Sequence, residues 1–250
     1  MRIGIAETHA TELVAKSIKE TLSDAGFESF YLKNNSKITM ADLVIVLGGD
    51  RGVRNYLHKA LDVDTPVLGI SESESNGVLA QIELKELPSY LNRIKMQDYV
   101  IEDVPRIGVK IDGKNTYPVL NDVAIFTSKS ATLMEHVLRV NGEEVWHDSS
   151  DGVIISTPIG SSAYSLSAGG PVIFQAANVF GIISVNSLDI TRRPIIVSDN
   201  SIIEIDEISS RLHCDVVLDG IDRLKINSKL EATKFKPPAR IVRMKADSTA

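Results

Sequence analysis

The chain has 250 residues, of which 43% are hydrophobic and 24% charged, and its formal net charge is −6. This composition is typical of globular proteins and excludes collagenous and disordered chains, and the length suffices for one large domain or two smaller ones. No apolar run reaches the ~18 residues of a membrane span, and the negative charge argues against nonspecific nucleic-acid binding. Cys214 is the only cysteine, which excludes a disulfide within the chain and a cysteine-based zinc cluster. We therefore expect a cytoplasmic protein.

The first hundred residues alternate between strand and helix patterns. Strands are predicted in "MRIGIA", in "DLVIVL" (42–47) and in "PVLGI" (66–70). A helix is predicted over residues 10–25, with Gly26 as its αL cap, and further helices in "VRNYLHKAL" and "LKELPSYLNRI". The apolar stripe of the first helix is predicted to comprise Leu13, Val14, Ile18 and Leu22. The alternation predicts an α/β domain with a parallel sheet over residues 1–100.

Near residue 100 the pattern changes to alternating apolar runs separated by turns. Asp112-Gly113 and Asn141-Gly142 predict type I′ hairpin turns, and the chain turns again around Asp199-Asn200. We expect a β-rich domain over residues 101–232. The segment from about residue 233 to 250 is expected to return to the first domain, and its Pro-Pro pair predicts a break before the terminal "IVRMK".

Three stretches carry candidate chemistry, and the first is "DLVIVLGGDRG". An apolar strand ends there at two glycines, Gly48 and Gly49, followed by Asp50 and a helix predicted to start near Val53. Glycines after a parallel strand let the backbone approach a phosphate, and the next helix offers unpaired N–H groups. A plain turn with an aspartate cap explains the same pattern, since Walker and dinucleotide fingerprints are absent.

The second stretch is "VLNDVAI", in which Asn121-Asp122 interrupts an apolar strand. Adjacent side chains of a strand point to opposite faces, so one polar group of this pair faces a core and needs partners. The pair marks either a strand end or bulge, or a site where ligand hydroxyls supply those partners.

The third stretch is "STPIGSSAYSLSAGGPV" (156–172), preceded by Asp151-Gly152 and followed by "VIFQAANVFGIISV", which is predicted to be buried. Small and hydroxyl-bearing residues held between buried segments can lie against a flat polar ligand, offering N–H groups, hydroxyls and the Tyr164 ring. The GxSxG turn that exposes a nucleophilic serine is absent, which argues against serine nucleophile chemistry. The group His213-Cys214-Asp215 lies in an apolar strand pattern and is expected to be structural.

In this order and spacing the three stretches resemble the NAD kinase family over nearly the whole chain. The family's "GGDG" stands here as "GGDR" (48–51), its "NE/D" pair as "ND" (121–122), and its "DG…STPTGSTAYS.SAGGP" as "DGVIISTPIGSSAYSLSAGGP" (151–171). The resemblance implies an NAD kinase-like fold, with a Rossmann-like α/β domain like that of phosphofructokinases and diacylglycerol kinases, followed by a β-rich domain.

The resemblance also implies an activity, in which ATP or polyphosphate phosphorylates the 2′-hydroxyl of the adenosine ribose of NAD. It implies Mg²⁺ or another divalent metal, a homodimer or homotetramer, and Asp50 as the catalytic base or orienting group. Asp151 is expected to reach a neighbouring subunit's ligand, and "SAGGP" to start a helix with an anion-friendly N-terminus. The residues assigned to nucleotide binding are Gly48, Gly49, Arg51, Gly52, Asn121, Asp122, Asp151, Thr157, Ser162, Ala163, Tyr164 and Ser167.

The chain departs from the family pattern at two places. Arg51-Gly52 stands where the family has Gly-Thr, and "SESESNG" (71–77), whose first part is expected to be an exposed loop, replaces the family's "N.GR.GFL". Arg51 either stabilises the transferred phosphoryl charge or fills the donor-phosphate site. An active kinase and an inactive NAD-binding paralogue are therefore both consistent with the sequence. A kinase of another hydroxyl substrate is disfavoured by the intact third stretch.

Overall fold

The computed structural model describes residues 1–7, 12–32, 40–61, 64–72 and 77–245. Its strands are β1 (Arg2–Glu7), β2 (Glu28–Tyr31), β3 (Leu43–Leu47), β4 (Val67–Ser71), β5 (Ile82–Glu83), β6 (Tyr99–Ile111), β7 (Lys114–Asn115), β8 (Asp122–Thr127), β9 (Met134–Val140), β10 (Glu143–Ser150), β11 (Gly152–Ser156), β12 (Val179–Val185), β13 (Ile195–Ser198), β14 (Ile203–Ser210), β15 (Cys214–Leu218), β16 (Asp222–Ile226) and β17 (Leu230–Met244). Its α-helices are α1 (Glu12–Asp24), α2 (Gly49–Lys59), α3 (Leu87–Lys95) and α4 (Tyr164–Ser167). The chain forms two compact units, Met1–Val104 with the segment from Pro237 onward, and Pro105–Lys236.

The first unit is built on a parallel sheet, as predicted. Strands β2, β1, β3 and β4 lie side by side in that order, and Ile241 of β17 pairs in parallel with Val67 of β4. Every residue of β3 and β4 is buried, which explains their continuous apolar sequences. Because parallel strands end at the same edge of a sheet, the residues that follow β3 and β4 lie at one edge.

Helix α1 buries Ile18 and Leu22 of the predicted stripe and packs partly buried Val14 against the core, but not Leu13. Ala15, Ile18 and Leu22 are buried, whereas Leu13 is 79% exposed. The spacing of three and four residues from Ala15 continues one helical face, and Leu13 lies off that face. Gly26 has a φ of 82° and ends the helix as predicted, with the N–H of Phe27 donating to Leu22 O at 3.0 Å. Residues 10 and 11 of the predicted helix lie outside the described residues, as do residues 73–75 of the predicted loop.

The second unit is β-rich, as predicted, and consists of antiparallel strands. Strands β10, β9, β14 and the first residues of β17 form one sheet, and β13, β12, β11, β8, β15 and β16 form the other, each in that order. Side chains of both sheets, such as Leu138 and Ile205 from the first and Ile155 and Val216 from the second, belong to one apolar core. The two sheets therefore pack face to face.

The turns differ in what they connect. Asp112-Gly113 and Asn141-Gly142 have positive φ at both positions and form the predicted hairpins. The turn around Asp199-Asn200 joins strands of different sheets, since β13 pairs with β12 and β14 pairs with β9 and β17. Local turn residues predict that the chain bends, but strand pairing depends on distant residues.

Asp112 also fastens a second turn, residues 227–229. Its carboxylate accepts hydrogen bonds from the backbone N–H groups of Asn227, Ser228 and Lys229 at 2.9–3.1 Å, and from the Asn227 amide and the Ser228 hydroxyl. Burial raises the pKa of Asp112, but the hydrogen bonds from Lys229, Ser228 and Asn227 outweigh it, so the pKa lies well below its usual value.

Two expectations about the second half of the chain are wrong. The Pro-Pro pair at residues 237–238 does not break the chain's final strand, because β17 continues through it to Met244. Residues 172–178 are not a buried strand, since Val172 and Phe174 are 66% and 82% exposed, and only the second half of this apolar segment forms a strand, β12.

The longest helix among the described residues, α1, has 13 residues, and no helix in that part of the chain is long and apolar enough to cross a membrane.

Candidate active site

The glycine turn after β3 leads directly into α2. Gly48 and Gly49 have φ values of 96° and 64°, a left-handed conformation that side-chain-bearing residues rarely adopt. The helix begins at Gly49, four residues before the predicted start at Val53, so Asp50 and Arg51 lie in its first turn. The N–H of Gly52 already donates to Gly48 O at 3.0 Å, so the N–H groups before it are the ones that a helix leaves unpaired.

Asp50 uses its carboxylate to hold a neighbouring turn, residues 77–80. Oδ1 accepts the N–H groups of Leu79 and Ala80 at 2.9 and 2.8 Å, and Oδ2 accepts that of Val78 at 2.8 Å. A Cβ on Gly77 would lie 2.3 Å from Asp50 Oδ1, so this contact requires glycine. An ionised carboxylate has about four acceptor positions, and Oδ2 therefore keeps one for a ligand. No sequence pattern predicts this turn.

Two arginines follow on α2, at the end of the helix where the backbone dipole is positive. Arg51 is exposed, and Arg54, one turn later, has a buried Nε without a hydrogen-bond partner in the described part of the chain. Residues three apart lie on one helical face. Cations near a helix N-terminus are unfavourable unless an anion accompanies them. The arrangement therefore suits a phosphate-bearing ligand.

In the second unit, the Asn121-Asp122 pair and the serine-rich stretch meet at adjacent strand ends. Asp122 begins β8 and pairs in register with Ser156, the last residue of β11. The Thr157 hydroxyl donates to Leu120 O at 2.6 Å, and its N–H donates to Asn121 O at 2.9 Å. Thr157 is fully buried, so in this structure its side chain holds the two strand ends together.

Asp219, which belongs to a distant turn of the chain, fixes the backbone of this junction. Its carboxylate accepts the N–H groups of Leu120, Asn121 and Asp122 at 2.8, 2.7 and 3.2 Å. Asp219 is itself buried and has a φ of 52°, in the turn between β15 and β16. No sequence motif predicts this role for Asp219, because a residue about 100 positions away in the chain gives no local pattern.

The serine-rich stretch has a buried side and an exposed side. The buried side chains bond within the protein, as in Ser161, whose hydroxyl donates to Pro158 O at 2.6 Å and accepts from the N–H of Ile173 at 2.8 Å. The buried hydroxyl-bearing residues are Ser156, Thr157, Ser161 and Ser165. Ser162, Tyr164 and Ser167 are exposed, and Ala163 is half-buried. The stretch is thus a fixed platform, with four predicted nucleotide contacts on its accessible side.

The expected helix at "SAGGP" is absent. The only α-helical turn there is α4, which ends at Ser167, where the expected helix was to begin. Gly169 has a φ of 87°, and the N–H of Gly170 bonds back to Ser165 O at 3.0 Å. These glycines end a helix, as in a C-terminal cap, so no helix N-terminus faces an anion at this point.

A polar group and an aromatic ring lie beside this platform. Asn121 Oδ1 is buried and has no hydrogen-bond partner among the described residues. The Tyr164 ring is 48% exposed and lies 5.8 Å from the Phe126 ring. Burial, with the charge of Asp122 second, raises the pKa of Tyr164 above its ordinary value. A Cβ on Gly160 would lie 1.9 Å from Asn121 O, which explains that glycine.

Asp151 lies at the opposite end of β11 from this junction. Ser156 lies five positions further along the chain, which is roughly 17 Å along an extended strand. Its carboxylate accepts the Asn186 amide at 2.8 Å. The structure therefore does not bring Asp151 to the Asn121-Asp122 pair of the same chain. Across the residues described, no group of three or more His, Cys, Asp or Glu side chains is placed to hold a metal ion.

Comparisons with known proteins bear on the family and the fold of this chain. Residues 120–236 match a family model described as the ATP-NAD kinase C-terminal domain. The chain is 31% identical to an NAD kinase of Clostridium perfringens over 90% of this chain and 83% of that protein, and 32% identical to one of Methanocorpusculum labreanum over 83% and 76%. Its fold matches the crystal structure of an NAD kinase from Archaeoglobus fulgidus in complex with ATP, with a TM-score of 0.82, 26% identity, and 99% of this chain and 94% of that one covered. The chain belongs to the NAD kinase family.

Proposed function

We propose that this chain transfers the γ-phosphoryl group of ATP to the 2′-hydroxyl of the adenosine ribose of NAD, giving NADP. The observation that carries the proposal is Asp50, whose carboxylate is fixed by three N–H groups and keeps one acceptor position on Oδ2. A carboxylate held in this way can accept the hydroxyl proton or orient the hydroxyl for attack. The same helix turn offers unpaired N–H groups and two arginines, which suit the donor phosphates.

The phosphoryl group passes directly from ATP to NAD, and no covalent enzyme intermediate is needed. The 2′-oxygen attacks the γ-phosphorus, its proton passes to Asp50, and the bond to the β-phosphate oxygen breaks to release ADP. Phosphoryl transfer depends mainly on positioning and on stabilising charge on the transferred group. We assign that charge stabilisation to the Arg51 side chain and to the N-terminus of α2, with Gly48, Gly49 and Gly52 allowing the backbone to approach the phosphates.

The second unit supplies the residues for NAD. We assign hydrogen bonds to NAD to the orphaned Asn121 amide oxygen and to Asp122, whose backbone Asp219 fixes. The accessible side of the serine-rich platform then receives a flat part of the dinucleotide against Tyr164. Ser162, Ala163 and Ser167 supply further contacts on that side, while buried Thr157 shapes the site.

The proposal also names the phosphoryl donor and the divalent metal ion. The Archaeoglobus fulgidus relative was crystallised with ATP, which supports ATP as donor here. Polyphosphate presents the same phosphoanhydride chain and is the second donor that we propose. Mg²⁺ typically binds through one or two carboxylates together with substrate phosphates. We therefore treat the divalent metal as arriving with the donor, which is consistent with the absence of a three-ligand cluster among the described residues.

Arg51 decides between an active kinase and an inactive NAD-binding paralogue, and its exposure favours activity. An exposed side chain at the third helical position leaves the backbone N–H groups at the start of α2 accessible. We expect Arg51→Gln to lower kcat with ATP by ~10³-fold, as loss of an arginine that stabilises transferred charge does. NADP formation is measured with ATP and with polyphosphate, and NAD affinity by calorimetry.

The family-type double variant, Arg51→Gly with Gly52→Thr, serves as the opposing test. If Arg51 stabilises charge, this variant is also slower than the wild type. A wild type that binds NAD but forms no NADP, together with a double variant that does form it, would show that Arg51 obstructs the donor site. Equal activity in all three proteins would show that Arg51 has neither role.

We also propose that the protein works as a homodimer or homotetramer. Asp151 lies far along β11 from the dinucleotide residues of its own chain, which fits a role at a neighbouring subunit's ligand. Beside it, the segment 186–193 exposes Leu188 and Ile190, at 64% and 86%. Ser187 fastens this segment to buried Asp148 at 2.6 Å, so the apolar side chains are presented from an anchored backbone. Light scattering should give a multimer, and Ile190→Glu should lower its mass to that of one chain; a wild-type monomer contradicts the proposal.

A further inference from the structure

The last strand of the chain reaches the turn that Asp50 holds. Arg243 of β17 donates through Nη1 to Val78 O and through Nε to Glu102 Oε2, the latter at 2.6 Å. Only 14% of the Arg243 side chain is exposed. Its Nη2 is buried and has no partner in the described part of the chain. The hydrogen bonds of Nη1 and Nε are therefore the ones that hold the guanidinium in place.

A single peptide group connects Arg243 to Asp50. The carbonyl of Val78 and the N–H of Leu79 belong to the same peptide unit; the carbonyl accepts from Arg243, and the N–H donates to Asp50 Oδ1 at 2.9 Å. Hydrogen bonds in a chain polarise one another, so a cation on the carbonyl makes the N–H a stronger donor. Glu102, Arg243, the peptide and Asp50 thus form one continuous series of hydrogen bonds.

Two glycines let the turn lie close to its neighbours. Gly77 allows it to approach Asp50, and Gly69 of β4 allows it to pack closely, since a Cβ there would lie 2.9 Å from both Ala80 Cα and Leu79 O. The Val78–Leu79 peptide is held at both of its polar atoms. Arg243 holds the carbonyl side of that peptide, and Asp50 holds the N–H side.

We propose that Arg243 is a positioning residue for the phosphoryl transfer, acting on Asp50 through the Val78–Leu79 peptide. This inference rests on the proposed function, because it assigns Asp50 to the reaction. When the peptide is fixed, Oδ1 of Asp50 is fixed with it, and the open acceptor position on Oδ2 keeps a defined direction toward the hydroxyl. Arg243 contacts no substrate in this account.

The test is a comparison of Arg243→Gln with Arg243→Lys and a matched control. We expect Arg243→Gln to lower kcat by about 10–100-fold, as misplacement of a reacting group by a fraction of an ångström does, with an unchanged KM for NAD. Arg243→Lys keeps one donor for Val78 O and should recover part of that loss. Arg240→Gln is the control, because Arg240 lies on the same strand but donates to Asp64 O and lies near Asp103; it should keep wild-type kcat.

Hydrogen exchange tests the coupling without relying on activity. The amides of Leu79 and Ala80 should lose protection in Arg243→Gln, but not in the Arg240 control. If Arg243→Gln does not fold, Glu102→Gln replaces it, with a smaller loss of protection and a severalfold lower kcat.

The outcomes separate the two proposals. Unchanged protection and unchanged kcat in Arg243→Gln overturn this inference while leaving the kinase activity in place. A fall in kcat accompanied by an equal fall in NAD affinity also overturns it, because that pattern indicates a general structural role. A wild type that forms no NADP overturns the proposed function. If Arg243→Gln then still loses amide protection, Arg243 is linked to Asp50 but has no role in this reaction, and the positioning claim is overturned as well.

Discussion

Replacing Asp50 by asparagine separates the two tasks that the structure gives this residue. In Asp50→Asn the amide oxygen can still accept the N–H groups of Leu79 and Ala80, but the amide nitrogen would face the N–H of Val78, donor against donor. One N–H that is partly buried then loses its acceptor, which costs about 1–3 kcal/mol. For a chain of this size that corresponds to a fall in Tm of about 2–12 °C.

The effect on turnover should be much larger than the effect on stability. Loss of a general base typically lowers the rate by about 10²–10⁴-fold, and the variant should still be folded at 25 °C and bind NAD. We would measure NADP formation, NAD affinity by calorimetry, and thermal unfolding on the same preparation. A folded Asp50→Asn protein that keeps more than a tenth of wild-type kcat would refute the assignment of Asp50 to the reaction.

Asp42→Asn is a matched control for this experiment. Asp42 accepts one backbone N–H, that of Arg2, at 2.6 Å, and it precedes β3, whereas Asp50 follows that strand. The control makes the same Asp-to-Asn change at the opposite end of the strand, where the remaining amide oxygen can still accept the single N–H. Its Tm and kcat should both stay close to those of the wild type, so that an effect of the lost charge alone can be recognised.

Two further predictions concern the second unit. Asn121→Ala and Tyr164→Ala should each weaken NAD binding by about 1–3 kcal/mol in calorimetric titrations, through lost hydrogen bonds or lost ring contact. Unchanged affinity in both variants would contradict the assignment of NAD to this platform. Asp112→Asn keeps the left-handed turn residue but loses charge-assisted hydrogen bonds, so urea unfolding at pH 7 should show lower stability than wild type. Because the folded-state pKa of Asp112 lies below its usual value of ~3.9, the wild type loses this advantage as pH falls below about 4, and the difference between the two proteins should narrow there.

Periodicity and turn chemistry were sufficient for most of the architecture. The apolar runs of β3 and β4 predict buried parallel strands because both faces of such strands are covered. Asp112-Gly113 predicts its hairpin because few other residue pairs accept positive φ at both positions. Leu13 was misplaced because several apolar residues in α1 fit competing stripes, and only packing selects Ala15, Ile18 and Leu22.

The sequence motifs nominate the candidate site residues but not the groups that support them. The motifs identify Asp50 and Asn121 because their unusual composition lies within a few positions of a strand end. The groups that hold them, the 77–80 turn, Asp219 and Arg243, come from positions about 30 to 190 residues away in the chain. Hydrogen bonds between such distant residues leave no periodic or local pattern in a single sequence. The start of α2 at Gly49 was missed for a different reason, since glycine is a poor helix former and is accepted there because its own φ of 64° is left-handed.

The central claim is that this chain phosphorylates NAD, and following the γ-phosphoryl group tests it most directly. The wild-type protein is incubated with NAD, Mg²⁺ and ATP carrying a radioactive γ-phosphate, and the products are separated and treated with a dehydrogenase that accepts only the 2′-phosphorylated dinucleotide. The account predicts one label in NADP for each NAD consumed, and none above background with Asp50→Asn. Wild-type protein that binds NAD by calorimetry, yet leaves the label in ATP or releases it as inorganic phosphate, would contradict it.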